Sequence, residues 1–270
     1  MKFTVLLSVY YKENHIFFKE SIESILCNTL KPSQDIIVKD GQLTIELENV
    51  IEFYVKNYEG IFTIVELEKN VGLGNALNIG LGYAIYDLVA RMDTDDICKI
   101  NRFERQVRYL ETNMNISVVG SSLDEFNKVP GDLDQARVLP ENNDDLIKFA
   151  KFRNPLNHPT VMFRKKDILQ VGSYMDMISF EDYYLWVRLL NKGYKIANIK
   201  ESLLYFRVGN DMIGRRRGSD YVKNELKFLR TLQNIGFISK RDFLFSLITK
   251  IPLRLLPKKV LVMIYKRILR

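Results

Sequence analysis

Leu88-Val89-Ala90-Arg91-Met92-Asp93-Thr94-Asp95-Asp96 decides how this chain is read. An apolar run ends abruptly in three carboxylates within four residues. A strand that stops on clustered Asp sets several anionic oxygens at the carboxyl edge of a sheet, where open α/β sheets bind ligands. Carboxylate oxygens suit hard cations such as Mg²⁺ or Mn²⁺, which in turn grip phosphate oxygens. The segment therefore predicts a metal-assisted site for a phosphorylated substrate. A plainer reading stands beside it: Asp95 or Asp96 caps a helix over residues 97–110, because Asp accepts from free N–H groups at a helix start. One cap does not need three carboxylates.

Upstream, residues 3–9 are apolar and rich in strand formers, and residues 16–26 follow at helical spacing with Asn14 as cap. Residues 35–39 form a short strand ending at Asp40-Gly41, residues 43–58 a second helix, and residues 61–67 a third strand. Residues 74–86 read as helix despite their glycines, and residues 87–92 as the fourth strand. Strands alternating with helices at this spacing predict βαβ units and a mostly parallel sheet. Downstream the pattern is mixed. Strands are expected at 116–120, 160–163 and, as one or two, within 195–207. An exposed loop is expected over 129–143 and a helix over 181–191. From residue 220 the chain reads as helical, with breaks at Pro252 and Pro257.

The length of 270 residues allows one large domain or one domain with a smaller elaboration. The expected division is a nucleotide-type half over 1–100, a mixed half of the same domain over 101–210, and a helical basic tail over 211–270. Cys27 and Cys98 stand far apart without metal-ligand company, which fits a reduced compartment and no disulfide framework. Two histidines are too few for a His-rich zinc site. The first eleven residues read as a strand and not as a signal peptide, and no uninterrupted apolar run reaches membrane-spanning length. The formal charge is +7, and seven basic residues with no acidic one follow Asp242. A globally basic surface would indicate nucleic acid. An excess confined to a terminal segment interleaved with Leu, Ile and Val indicates an anionic membrane surface instead.

Three strands of the first half end in polar signals: Ser8-Val9-Tyr10-Tyr11, Lys39-Asp40-Gly41 and Asp93-Thr94-Asp95-Asp96. In a parallel sheet these ends share one edge, placing an aromatic ring, a carboxylate and a metal site together. Asn70-Val71-Gly72-Leu73-Gly74 precedes a helix, where backbone N–H groups can approach an anion or simply make a tight turn. Phe180-Glu181-Asp182 opens another helix. Ser179 and Asp182 have capping-box spacing, and a carboxylate held ionised at a helix N-terminus can also serve as general base.

With Arg102, Gln106 and Asn157-His158-Pro159-Thr160, these segments in this order resemble a family 2 glycosyltransferase over about residues 3–206, most closely the bacterial enzymes of capsule, exopolysaccharide and O-antigen assembly. The resemblance implies a Rossmann-like central sheet of the A-type glycosyltransferase fold, with a mixed acceptor side and a helical tail. It implies that Val9, Tyr10 and Asp40 hold the nucleotide, usually uridine, with Glu13, Lys69, Asn70 and Gly72 as further donor-site candidates. Asp93 would contact ribose or metal, and Asp95 would bind the Mn²⁺ or Mg²⁺ bridging the diphosphate. Asp182 would be the base, with Glu181 next in line. The chain departs from the pattern after Asp40, where Gly41-Gln42-Leu43 replaces the usual second Asp and Ser. No Gln-x-x-Arg-Trp follows the Glu-Asp pair, which implies single addition.

The expected activity is inverting transfer of a hexose or N-acetylhexosamine from a UDP-sugar to a lipid-linked saccharide, peripheral on the cytoplasmic face of the cell membrane. The rival readings are a sugar-phosphate nucleotidyltransferase and a non-catalytic nucleotide-binding protein of the membrane surface.

Overall fold

The computed structural model describes residues 1–209, 216–257 and 260. Its centre is a nine-stranded sheet. The strands are β1 (Phe3–Val9), β2 (Gln34–Lys39), β3 (Phe62–Glu66), β4 (Leu88–Arg91), β5 (Ile97–Cys98), β6 (Ile116–Phe126), β7 (Gln135–Arg137), β8 (Met162–Arg164) and β9 (Lys195–Arg207). They lie in the order β3-β2-β1-β4-β8-β6-β9-β5, with β7 paired to β6. The first four strands are parallel. β2 and β4 flank β1 on opposite sides, so the strand order reverses beside β1, and such a reversal opens a crevice at the carboxyl edge. Beyond β4 the polarity changes, because β8 runs antiparallel to it, with Ala90 opposite Met162. The segment entering β8 therefore arrives at the edge where β1, β2 and β4 end.

Helices cover both faces. On one side lie α1 (His15–Leu26), α2 (Ile45–Asn57) and α4 (Arg102–Thr112), packing Phe18, Ile22, Leu47, Phe103 and Leu110 on the sheet. On the other lie α3 (Leu73–Tyr83), α5 (Asn143–Phe149), α6 (Lys165–Gln170) and α7 (Glu181–Asn191), with Leu77, Leu81, Leu185 and Trp186 in the core. α1 starts where expected, the Asn14 side chain accepting from the N–H groups of Ile16 and Phe17 at 2.8 and 3.3 Å. Gly80 lets α3 lie on the strands: a Cβ there would sit 2.6 Å from Leu6 and Val38 side-chain carbons. A third apolar cluster joins the start of α7 to α8 (Ser219–Asn234) and α9 (Lys240–Leu255), centred on Phe180, Tyr183, Phe228 and Leu232.

Several expectations are corrected. No helix spans 97–110: residues 97 and 98 pair with β9 as β5, and α4 begins only at Arg102. Neither Asp95 nor Asp96 caps it; the preceding position is Asn101, which makes no side-chain cap. The polar stretch 129–143 is not all loop, since β7 pairs with β6 there and α5 begins at Asn143. Ser179 and Asp182 form no capping box. Phe180 is the N-cap of α7, while Ser179 takes a positive φ of 71° and its N–H donates to Glu181. Pro252 does not break the tail helix but lies inside the last turn of α9, where it gives up the N–H bond to the Ile248 carbonyl. The break expected at Pro257 falls at the end of the described residues, and the tail after it, apart from Val260, lies outside them. No described helix is long and apolar enough to cross a membrane.

Candidate active site

The segment after β4 brings its carboxylates together. Ligand oxygens of Asp93, Asp95 and Asp96 lie within 4.8 Å of one another. Burial, and next the charge of Asp93, push the Asp95 carboxyl up to about 6. The same two causes push Asp96 well above the usual carboxylate range. Asp96 is fully buried, and its Oδ2 has no hydrogen-bond partner. Crowded, desolvated carboxylates with an unsatisfied oxygen fit a hard divalent cation, whose charge relieves both their mutual repulsion and their desolvation.

The loop carrying them is held by a residue that the motifs did not single out. Arg207, at the end of β9, donates its backbone N–H to Asp96 Oδ1 at 2.9 Å and its Nε to the Asp95 carbonyl at 2.9 Å. Its guanidinium is sandwiched between the rings of Phe17 and Phe126 and pairs with Glu20 at 2.5 Å. From beneath, the Arg102 guanidinium donates to the Arg91 carbonyl at 2.6 Å and to Gln106 at 3.1 Å. Gln106 donates in turn to the carbonyls of Thr160 and Val119 at 2.7 and 3.2 Å. Arg102 and Gln106 thus tie the end of β4 to the His158-Pro159-Thr160 turn.

Asp40 and Gly72 come together with an unexpected division of labour. The Asp40 carboxylate accepts from the N–H groups of Val71 and Gly72 at 2.7 and 3.1 Å and from Asn70 Nδ2 at 3.0 Å. The anion cradled before α3 is therefore the chain's own Asp40. Gly41 permits this clasp: its φ is +85°, and a Cβ would sit 2.7 Å from the Asn70 nitrogen. Lys69, beside the clasp, is exposed. Val9 lies wholly in the core with its carbonyl accepting from the Asp40 N–H at 2.8 Å, which leaves its side chain no access to a ligand. Tyr10 is half-buried at the edge, its ring 5.8 Å edge-on to Tyr11, and its carbonyl accepts from the Glu13 N–H at 3.0 Å.

Opposite the carboxylate loop stands the first turn of α7. Asp182 Oδ2 accepts from Asn154 Nδ2 at 2.6 Å. Burial raises the Asp182 pKa, opposed by the Asn154 hydrogen bond and by the charge of Arg91. Glu181 lies against α3, its Cγ 3.3 Å from where a Gly74 Cβ would be. Burial raises its pKa as well. The floor between the two carboxylate groups holds Arg91, His158 and Tyr174. His158 Nε2 lies 2.8 Å from the Tyr174 hydroxyl, and burial keeps the imidazole neutral. Asn154 and Tyr174 lie outside every motif of the sequence reading; proximity in the fold, and no sequence signal, marks them.

This arrangement accompanies a clear kinship. Residues 6–172 match the model of glycosyl transferase family 2. This chain belongs to that family. It is 38% identical over 269 residues to UDP-Gal:alpha-D-GlcNAc-diphosphoundecaprenol beta-1,3-galactosyltransferase of Escherichia coli, covering 100% of this chain and 97% of the relative. It is likewise 38% identical to the amylovoran biosynthesis glycosyltransferase AmsE of Erwinia amylovora, with 98% of each covered. Among solved structures, residues 1–349 of S. aureus TarS in complex with UDP-GlcNAc superpose with a TM-score of 0.69 at 17% identity, over 93% of this chain and 73% of that one. This family 2 glycosyltransferase has the A-type fold, a mixed α/β architecture around a sheet whose first four strands are parallel.

Proposed function

We propose that this glycosyltransferase moves a hexose or N-acetylhexosamine from a UDP-sugar to a hydroxyl of a lipid-linked saccharide, with inversion, in surface polysaccharide assembly. The observation that carries the reading is that two carboxylate groups share one neighbourhood: Tyr174 feels the charges of both Asp93 and Asp182, and Arg91 acts on both as well. A one-step displacement requires charge neutralisation at the leaving diphosphate and a base aligned on the opposite side. The name of the full-length Escherichia coli relative supports both the donor and the acceptor class, and that of the Erwinia amylovora relative supports polysaccharide biosynthesis.

In this reading Asp95 and Asp93 hold Mn²⁺ or Mg²⁺, which when bound neutralises the diphosphate. Tyr10 packs on the uracil. Asp40 acts through the Asn70–Gly72 loop it clasps, which presents Lys69 and Asn70 to the donor. Residues 1–100 form the donor half and 101–210 the acceptor half. Asp182 takes the proton of the acceptor hydroxyl, and its raised pKa makes it a stronger base than an ordinary Asp. Glu181, turned toward α3, supports the helix start.

Membrane attachment belongs to the same proposal. Arg241, Leu244, Phe245 and Ile248 recur on one side of α9, and Leu244, Phe245 and Ile248 are 57, 57 and 65% exposed. That spacing is an amphipathic face suited to an anionic bilayer interface on the cytoplasmic side. The deciding experiment mixes the purified chain with Mn²⁺, a panel of nucleotide sugars and a polyprenyl-diphosphate-linked N-acetylhexosamine. Sugar transfer from a UDP-sugar with inverted configuration is expected. Release of pyrophosphate from a nucleoside triphosphate and a sugar phosphate, with no transfer, would favour the nucleotidyltransferase reading.

A further inference from the structure

Arg91 ends β4 with its side chain only 2% exposed. One terminal nitrogen, Nη2, donates to Asp93 Oδ1. The other two, Nε and Nη1, are buried and have no hydrogen-bond partner. A guanidinium always carries its proton and presents its donors in a rigid fork. Two buried donors of a charged group left unpaired are costly, and a ligand oxygen relieves that cost. The Nη2 bond holds the Arg91 fork beside Asp93. Its charge also acts on Tyr174, His158 and Asp182, the groups on the acceptor side of the crevice. Arg91 therefore lies within reach of both the carboxylates proposed for the diphosphate and the proposed base. In a displacement, that is the place of the group being transferred.

We infer that Arg91 reads the transferred sugar: Nε and Nη1 donate to ring hydroxyl oxygens of a nucleoside-diphosphate hexose while Nη2 stays on Asp93. This rests on the glycosyl-transfer reading above and assigns the sugar-recognition contact within it. The diphosphate is the other possible source of oxygen acceptors. The Nη2–Asp93 pair favours the sugar, because it occupies the donor next to the carboxylates and leaves Nε and Nη1 for another group.

The test is calorimetry in Mn²⁺ with UMP, UDP, UDP-galactose and UDP-N-acetylglucosamine on the wild type, Arg91→Lys and Arg91→Gln, each checked by thermal melting. Arg91→Lys keeps a cation beside Asp93, so the fold persists, but it lacks the fork. The expected result is UMP and UDP affinity within about twofold of wild type, with affinity for the preferred UDP-sugar lower by about tenfold or more, and a matching rise in donor KM. An equal fall for UDP and UDP-sugar would place Arg91 on the diphosphate or in the scaffold and overturn the inference, as would unchanged affinity for all four. A wild type that binds no nucleotide sugar is a separate result, which defeats the transfer reading itself.

Discussion

Asp182 and Asp95 both have raised pKa values, and the two carboxylates make different predictions. Asp182 must be ionised to accept a proton, so transfer should fall as pH drops through its raised pKa, at a higher pH than for an ordinary Asp. Asp182→Asn keeps the size and the Asn154 neighbour but cannot take the proton. Transfer should drop by about 10²–10⁴ while UDP-sugar affinity stays within a few-fold, measured by steady-state rates and calorimetry. Asp95→Asn should behave oppositely, weakening UDP binding in Mn²⁺ far more than in its absence; equal weakening would remove Asp95 from the ligand set. Asp35 offers a stability test away from the site. It is wholly buried in β2, neither oxygen has a partner, and burial pushes its pKa up to about 8. A carboxyl whose pKa is higher folded than unfolded stabilises the native state relative to neutral pH while protonated, and that contribution is lost as pH rises from about 4 toward 8. Asp35→Asn, which mimics the protonated form, should therefore gain over wild type by about 1 kcal/mol per pH unit through that window, read from urea melts at pH 5, 6 and 7. An unchanged difference across that range would mean that Asp35 is solvated in solution.

Between elements, the fold depends on polar clamps that no local pattern discloses. Asp95 and Arg207 are 112 residues apart, so the cradle of the carboxylate loop exists only once β9 has joined the sheet. Arg207→Met should leave the fold intact but lose the Asp95 carbonyl bond and the stacking on Phe17 and Phe126. Mn²⁺-dependent UDP binding should weaken about tenfold while metal-free binding changes little, and calorimetry separates the two. A second clamp joins the last two helices. Glu225 of α8 is 1% exposed and pairs with Arg254 at 2.8 Å and Lys250 at 3.9 Å. Truncation after Thr249 would strand a buried carboxylate and should cost about 3–5 kcal/mol in a denaturant melt. Truncation after Pro257 keeps both partners and should avoid that loss. The tail through Arg254 is thus part of the scaffold. Elements with a strong period, such as α7 and, with its Asn14 cap, α1, were legible in sequence. Two-residue β5 was not, because only its pairing with β9 makes it a strand, and α5 and α6 are too short to show a period.

For the whole molecule, docking on an anionic bilayer has a direct test. Leu244→Glu, Phe245→Glu and Ile248→Glu combined should abolish cosedimentation with phosphatidylglycerol vesicles and leave UDP-sugar affinity unchanged. High salt should release the wild type only in part, since screening acts on charges and not on apolar contacts. The candidate site was legible wherever chemistry was concentrated in a few consecutive residues, as in Asp93-Thr94-Asp95-Asp96 and Glu181-Asp182. It was not legible where partners are scattered, as with Asn154, Tyr174 and Arg207, or where a familiar residue serves its own loop, as Asp40 does. The reversal of polarity at β4 explains the scatter. Chain exits from β1, β2 and β4 share one edge with the chain entering β8, so the crevice draws its two walls from separate stretches of the gene. Substitutions in the loops of the later stretch, on either side of β8, can then be sampled without disturbing the register of the first four strands. A scaffold arranged this way can acquire new acceptors over evolutionary time while inheriting its donor chemistry unchanged.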